Sequence, residues 1–291
     1  MKKYLSVILA AAVMFSVFTA CGSNMTEDTE NDAFGGTITV ISREEGSGTR
    51  GAFIELTGVE AKDVAGNKVD NTTIEAVVLS KTDAVLTNVS TDKMAIGYIS
   101  MGSLNDTVKA VAVDGVQPAT VNVKNGSYSI SRPFNIATNG DMKPEVQDFI
   151  SFIMSKQGQE IVSGSYITVN DTADEYTPAG ISGKITVSGS SSVSPLMEKL
   201  MEAYMNFNPD VEIELTTTDS TGGLKDAMNG VSDIGMASRE LKESEASLTG
   251  TTIAMDGIAV IVNNENPVNS LTLEQITQIY TGRVTMWEEI A

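Results

Sequence analysis

An α/β fold is predicted for this chain, on three observations. Strand-like and helix-like runs alternate from residue 37 onward. The 291 residues, 41% of them hydrophobic, suffice for about two domains with substantial cores. A stretch of turn composition at 170–183 separates two blocks of such alternation.

The elements follow in order. Lys2 and Lys3 precede a short apolar run and then Thr19-Ala20-Cys21-Gly22. A charged start, an apolar stretch and a small residue before the cut describe a secretory signal peptide over 1–20. A plain signal peptide with a chance cysteine is the alternative; the run is short for a membrane span. Residues 21–35 are polar and acidic and read as a flexible tether. Strands are predicted at 37–41, 74–79, 95–99, 108–113, 130–137, 185–189, 211–216 and 252–263. A helix at 52–56 opens after the first strand. At 144–163, Val146, Phe149, Ile150, Ile153 and Ile161 keep one apolar face, and at 195–207 Leu196, Leu200 and Tyr204 recur every four residues. Shorter helices are predicted at 222–230 and 273–281. Pro144 and Pro195 stand where a first-turn proline is tolerated.

Composition narrows the function. The chain has no histidine, which removes Ser-His and Cys-His machinery and the commonest metal ligand. No catalytic residues, cofactor or metal site are expected. The net charge of −19 argues against a nucleic-acid partner. Loss of residues 1–20 removes two lysines and no acids, giving 17 − 38 = −21. Cys21 is the only cysteine, so no internal disulfide can form.

Four segments share one physical form, small polar residues followed by a helix start. They are 43–49 (Arg43, Ser47, Gly48, Thr49), 189–195 (Ser190, Ser191, Ser192), 219–224 (Asp219, Ser220) and 236–241 (Ser238, Arg239). Each offers unpaired helix amides and a hydroxyl at the positive end of a helix dipole, an anion cradle. Singly, each is as well explained by ordinary helix capping. Arg43 is the natural charge partner for an oxyanion, since guanidinium donates two parallel hydrogen bonds; pairing with Glu44 or Glu45 is the bland alternative. Arg239 is followed by Glu240, which suits a helix-start ion pair. The run at 46–49 lacks P-loop spacing, and 189–195 lacks the nucleophile-elbow pattern.

In combination these segments are specific. Val40-Ile41-Ser42-Arg43-Glu44-Glu45-Gly46-Ser47-Gly48-Thr49-Arg50 and Val187-Ser188-Gly189-Ser190-Ser191-Ser192-Val193-Ser194-Pro195-Leu196 resemble two phosphate-gripping loops of the phosphate-binding proteins of high-affinity phosphate ABC transporters. Ser220-Thr221-Gly222-Gly223, Asp233-Ile234-Gly235-Met236-Ala237-Ser238-Arg239 and Tyr280-Thr281-Gly282-Arg283-Val284-Thr285-Met286-Trp287 extend the resemblance over nearly all of 36–291. The order differs: in the family the serine-rich loop comes first, whereas here the 43–49 loop does. The chain therefore reads as a circular permutation, with a tandem-gene fragment or a swapped dimer as alternatives.

The resemblance implies a two-lobed, type II periplasmic-binding-protein fold with a two-strand hinge near 95–101 and 253–262. One lobe would be continuous (98–254) and the other composite (36–97 plus 255–291). It implies ligand contacts from Arg43, Ser47, Gly48, Thr49, Ser191, Ser192, Ser220 and Ser238, with the serine within 190–192 left open. It implies inorganic phosphate as ligand and ABC-transporter permease subunits as partners. Thr19-Ala20-Cys21-Gly22 separately resembles a bacterial lipobox, with Phe18 in place of the more usual Leu, and implies cleavage before Cys21 and lipid attachment there, anchoring the protein at the extracellular face of the membrane. Some members carry an aspartate where Arg239 stands, so discrimination against sulfate must come from elsewhere; Asp219, Glu45 and Asp256 are candidates. Other readings are a receptor for sulfate or molybdate, a surface sensor or adhesin, and a phosphoesterase, for which no nucleophile or metal cluster is evident.

Overall fold

The computed structural model of the chain describes residues 34–290. The expected signal peptide, Cys21 and most of the tether lie outside the described residues. In order, the elements are β1 (Thr39–Arg43), α1 (Gly48–Thr57), β2 (Glu60–Lys62), β3 (Lys68–Asp70), β4 (Val77–Leu79), α2 (Thr82–Thr91), β5 (Ala95–Ser100), β6 (Val108–Val113), α3 (Thr120–Lys124), β7 (Ser131–Asn139), α4 (Pro144–Met154), α5 (Lys156–Ser163), β8 (Gly183–Ser190), α6 (Ser194–Phe207), β9 (Val211–Thr218), α7 (Ser220–Met228), β10 (Ile234–Ala237), β11 (Leu248–Asn263), β12 (Ser270–Leu271) and α8 (Leu273–Tyr280).

Ten of these strands join into one sheet, because β11 is long enough at 16 residues to serve two halves. Its first part pairs antiparallel with β7, and its last part with β5 and β6. In one half, β1 lies parallel between β4 and β5. In the other, β8 lies parallel between β9 and β10. The two halves thus repeat one device, a central parallel strand whose C-terminal end feeds a helix start. Ligands in α/β folds gather at such ends.

Each half has its own core. Ile38, Val40, Phe53, Ile96, Tyr98, Val111, Tyr128, Ile130, Ile258, Val260, Tyr280 and Trp287 form one. Phe134, Ile136, Phe149, Phe152, Val187, Leu196, Leu200, Tyr204, Ile253 and Ala254 form the other.

These cores correct the expected division at 97/98. After β5 a short turn at Met101–Ser103 returns the chain into β6, which pairs with β11 again and stays in the first core. The crossings are at the start of β7, where Ile130 belongs to one core and Phe134 to the other, and within β11, between Ala254 and Ile258. The strand at 95–101 is therefore not a crossing, whereas 253–262 is.

The predicted helix at 144–163 is two. Ser155 adopts φ −76°, ψ 171°, ends α4 and caps α5 through its Oγ. The segment 170–182 has no regular structure, β8 beginning at Gly183, yet Tyr176 is buried in it. The Tyr176 hydroxyl donates to Asp148 at 2.6 Å, and its ring meets Phe152 edge-on. That side chain pins the connection to the second core.

Candidate functional site

The ends of β1, β8, β9 and β10 bring the four polar loops together. Ser47 caps α1, its Oγ accepting from the Arg50 amide. That places Thr49 in the first turn, where its Oγ1 lies 2.8 Å from Ser192 Oγ and 3.5 Å from Ser238 Oγ. Asp219 caps α7 by accepting from the Gly222 amide, which sets Ser220 at the helix start. The Ser220 and Ser238 hydroxyls lie 3.4 Å apart, and Ser220 Oγ accepts from the Ser238 amide at 3.1 Å. Ser190 Oγ donates to Ser238 Oγ at 2.9 Å. Ser47, Thr49, Ser190, Ser191, Ser192, Ser220 and Ser238 are all buried. The close approach leaves room at Gly48 for glycine alone: a Cβ there would come 2.8 Å from Ser238 Oγ and closer still to Ser220 Oγ.

Arg43, at the end of β1, is 2% exposed. It forks onto Glu44 through Nε at 2.8 Å and Nη2 at 2.7 Å, and Nη2 also donates to Ser191 Oγ at 3.1 Å. Its Nη1 is buried and without a partner. The guanidinium is thus half neutralised and reaches from one half of the molecule to the other. Backbone contacts complete the junction, since the Thr221 amide and hydroxyl both donate to the Gly46 carbonyl, at 3.2 and 3.1 Å.

All eight expected contact positions, Arg43, Ser47, Gly48, Thr49, Ser191, Ser192, Ser220 and Ser238, fall in this one junction. Arg239 does not share their role. It forks onto Glu245 at 2.8 and 2.7 Å and donates to Thr221 Oγ1, so its charge is spent on the 239–245 loop. Of the candidate discriminating acids, Asp219 is a helix cap, Glu45 is exposed, and Asp256 is fully buried against Arg132.

Sequence reading missed Thr82. It opens α2, and its Oγ1 lies 3.4 Å from Ser191 Oγ. The signal was present: Ser80-Lys81-Thr82-Asp83 is another polar turn between a strand and a helix. The N-terminal ends of four helices, α1, α2, α6 and α7, therefore converge on one group of buried hydroxyls. Each contributes roughly half a positive charge in addition to its free amides. Buried hydroxyl donors beside one guanidinium suit a small oxyanion.

Comparison with known proteins places this geometry. A family model described as a PBP superfamily domain matches residues 24–157 and 174–290. A "Phosphate-binding protein PstS 2" of Streptococcus agalactiae is 45% identical over the full length of both chains. The chain belongs to the PstS family of the PBP superfamily. The family fold is that of a type II periplasmic binding protein, and the structure of a phosphate ABC transporter's phosphate-binding protein from Streptococcus pneumoniae superposes with a TM-score of 0.70. That structure is 47% identical and covers 88% of this chain and 100% of its own. A PstS of Staphylococcus saprophyticus is 33% identical, over only 37% of each chain. Among the described residues, no helix is long and apolar enough to cross a membrane.

Proposed function

We propose that this chain captures inorganic phosphate between its two halves and delivers it to the permease of an ABC transporter. One observation carries the reading: hydroxyls from α1, α7 and the 190–192 and 238 loops meet within hydrogen-bonding distance, and Ser191 of the same loop joins Thr82 of α2 to a buried guanidinium that keeps a nitrogen free. Charge-assisted and amide hydrogen bonds in a dry cleft are the strongest means a protein without metal has for holding a tetrahedral anion. The names of the full-length relatives, phosphate-binding proteins, support the same ligand.

In this reading Arg43, Ser47, Gly48, Thr49, Ser191, Ser192, Ser220 and Ser238 contact phosphate, joined by Thr82. The two halves close about β7 and β11. The motif order is a circular permutation. Full-length collinearity with the streptococcal relatives, beside a match of about a third of the chain to the staphylococcal one, supports that order. Cleavage before Cys21 and lipid attachment there would hold the protein at the outer face of the membrane, and labelled fatty acid should be absent from Cys21→Ala. The protein acts as a receptor, without catalysis of its own.

Isothermal titration of the purified chain tests the reading. Phosphate is expected to bind one to one at micromolar concentration, with sulfate and molybdate failing to compete. No heat from phosphate would overturn the reading, and tighter sulfate or molybdate binding would reassign the ligand. Hydrolysis of a phosphate ester, with or without divalent metal, would contradict the receptor role.

A further inference from the structure

The four arginines around the groove between the two halves are not equivalent. Arg50 commits its nitrogens to Asp70 and to the Arg43 carbonyl. Arg239 commits its own to Glu245, Thr221 and the Glu240 carbonyl. Arg43 and Arg132 differ: among the described residues they are the arginines with buried nitrogens lacking any partner, Nη1 of Arg43 and both Nε and Nη1 of Arg132.

Arg132 is 2% exposed and is the second residue of β7, the strand that passes between the cores. It lines a cavity of about 940 Å³ together with Glu45, Arg50 and Arg239. Its one ion-pair contact runs from Nη2 to Asp256 Oδ2 at 3.1 Å, directly across the ladder on β11. The contact is single where a fork was available, and Asp256 Oδ1 is likewise unpartnered.

A buried guanidinium held by one bond to a carboxylate is poorly compensated. Arg43 and Arg132 belong to one sheet, on β1 and β7, which are joined through β5 and β11. Burial lowers the Arg132 pKa to about 10, Asp256 opposes that shift, and the Arg43 charge adds to it. Two buried guanidiniums therefore keep free donors, one at the end of β1 and one on the crossing strand β7, and an arriving anion would satisfy them.

We propose that Arg132 is a second guanidinium for the captured anion, reaching it from the crossing strand β7, and that Asp256 positions Arg132 and competes with the anion for its charge. This rests on the phosphate reading above. Around Asp256 the other neighbouring groups are Tyr128, Tyr166, the Ser100 hydroxyl and the Gly102 amide, none of which supplies a second positive charge.

The two partners should then respond in opposite directions. Arg132→Gln removes a charged donor, and phosphate affinity in isothermal titration should fall about tenfold to a hundredfold. Asp256→Asn keeps an acceptor for Arg132 but deletes the competing charge, so phosphate should bind several-fold tighter. Arg132→Lys should fall between wild type and Arg132→Gln. A purely structural pair would weaken binding equally from either side, or leave it unchanged from both. Either of those results overturns the proposal. Should Arg132→Gln fail to fold by circular dichroism, Asp256→Asn decides alone: tighter binding supports the proposal, and equal or weaker binding refutes it. Wild-type protein that gives no heat with phosphate refutes the receptor reading instead, and this proposal with it.

Discussion

Gly48→Ala separates binding from folding. Gly48 is the first residue of α1, where alanine is the better helix former by up to about 1 kcal/mol. Its φ is not positive, so the backbone tolerates a side chain. The added methyl, however, would sit 2.8 Å from Ser238 Oγ and nearer still to Ser220 Oγ, both on the opposite half. Ordinary carbon–oxygen contact needs roughly half an ångström to an ångström more. Either the two serine hydroxyls turn away or the halves part, and both disturb the hydroxyl group in which Thr49 now lies 2.8 and 3.5 Å from Ser192 and Ser238. At about 0.5–1.5 kcal/mol for each hydrogen bond, the loss is ~1–3 kcal/mol. Phosphate affinity should therefore drop about 5- to 150-fold. Titration calorimetry measures the affinity, and thermal melting without phosphate measures the fold. The expected result is weaker binding with a melting temperature that changes little, since the helix gain offsets part of the loss. Wild-type affinity in Gly48→Ala would show that the closed junction is not the binding state.

Three further predictions concern the same junction. Arg43→Ala removes a guanidinium that contacts both Glu44 and Ser191, and should weaken phosphate by more than about a hundredfold in the same titration; a change under about threefold would remove Arg43 from the site. Lys81, just before α2, is held at φ 69°, ψ 153°, a conformation that costs a side-chain-bearing residue about 1–3 kcal/mol. Lys81→Gly should raise stability by ~0.5–2 kcal/mol in urea unfolding, and a loss of stability would show that the loop stores no strain. Burial raises the Asp256 pKa to about 6, above about 3.9 for a free aspartate, with Arg132 acting against the shift. The folded state then holds that proton more tightly than the unfolded chain. Its contribution is present below about pH 4 and lost as pH rises through 6, by ~2–3 kcal/mol. Wild type should lose that much stability relative to Asp256→Asn between pH 4 and 7, and a pH-independent difference would refute the assignment.

How much was legible in the sequence depends on how local each feature is. The strand at 108–113 was predicted to the residue, since its apolar run needs no partner to be recognised. The break at Ser155 was not, because the apolar face continues through it; only a serine able to cap the next helix marks it. β10 escaped notice because its four residues are too few to show a period. The misplaced crossing has a different cause. Whether 95–100 or 130–139 passes between the cores depends on which strand β11 pairs with along its length, and pairing over more than a hundred residues leaves no local trace. Three of the four anion loops were legible because strand end, polar turn and helix start lie side by side in the chain; at 236–241 the expected helix is absent, and β10 leads through a turn at Glu243–Glu245 into β11. Thr82 carried the same signature and was overlooked. Arg132 carried none: what singles it out is a partner 124 positions away and two nitrogens with no partner at all.

The central claim is that loops from both ends of the polypeptide hold one anion within a single chain. A crystal structure grown with phosphate tests it most directly. The account predicts one tetrahedral ion within hydrogen-bonding distance of Arg43, Thr49, Ser192, Ser220 and Ser238 of the same chain. An ion bound elsewhere, or one held by the 43–49 loop of one chain and the serines of another, would contradict it.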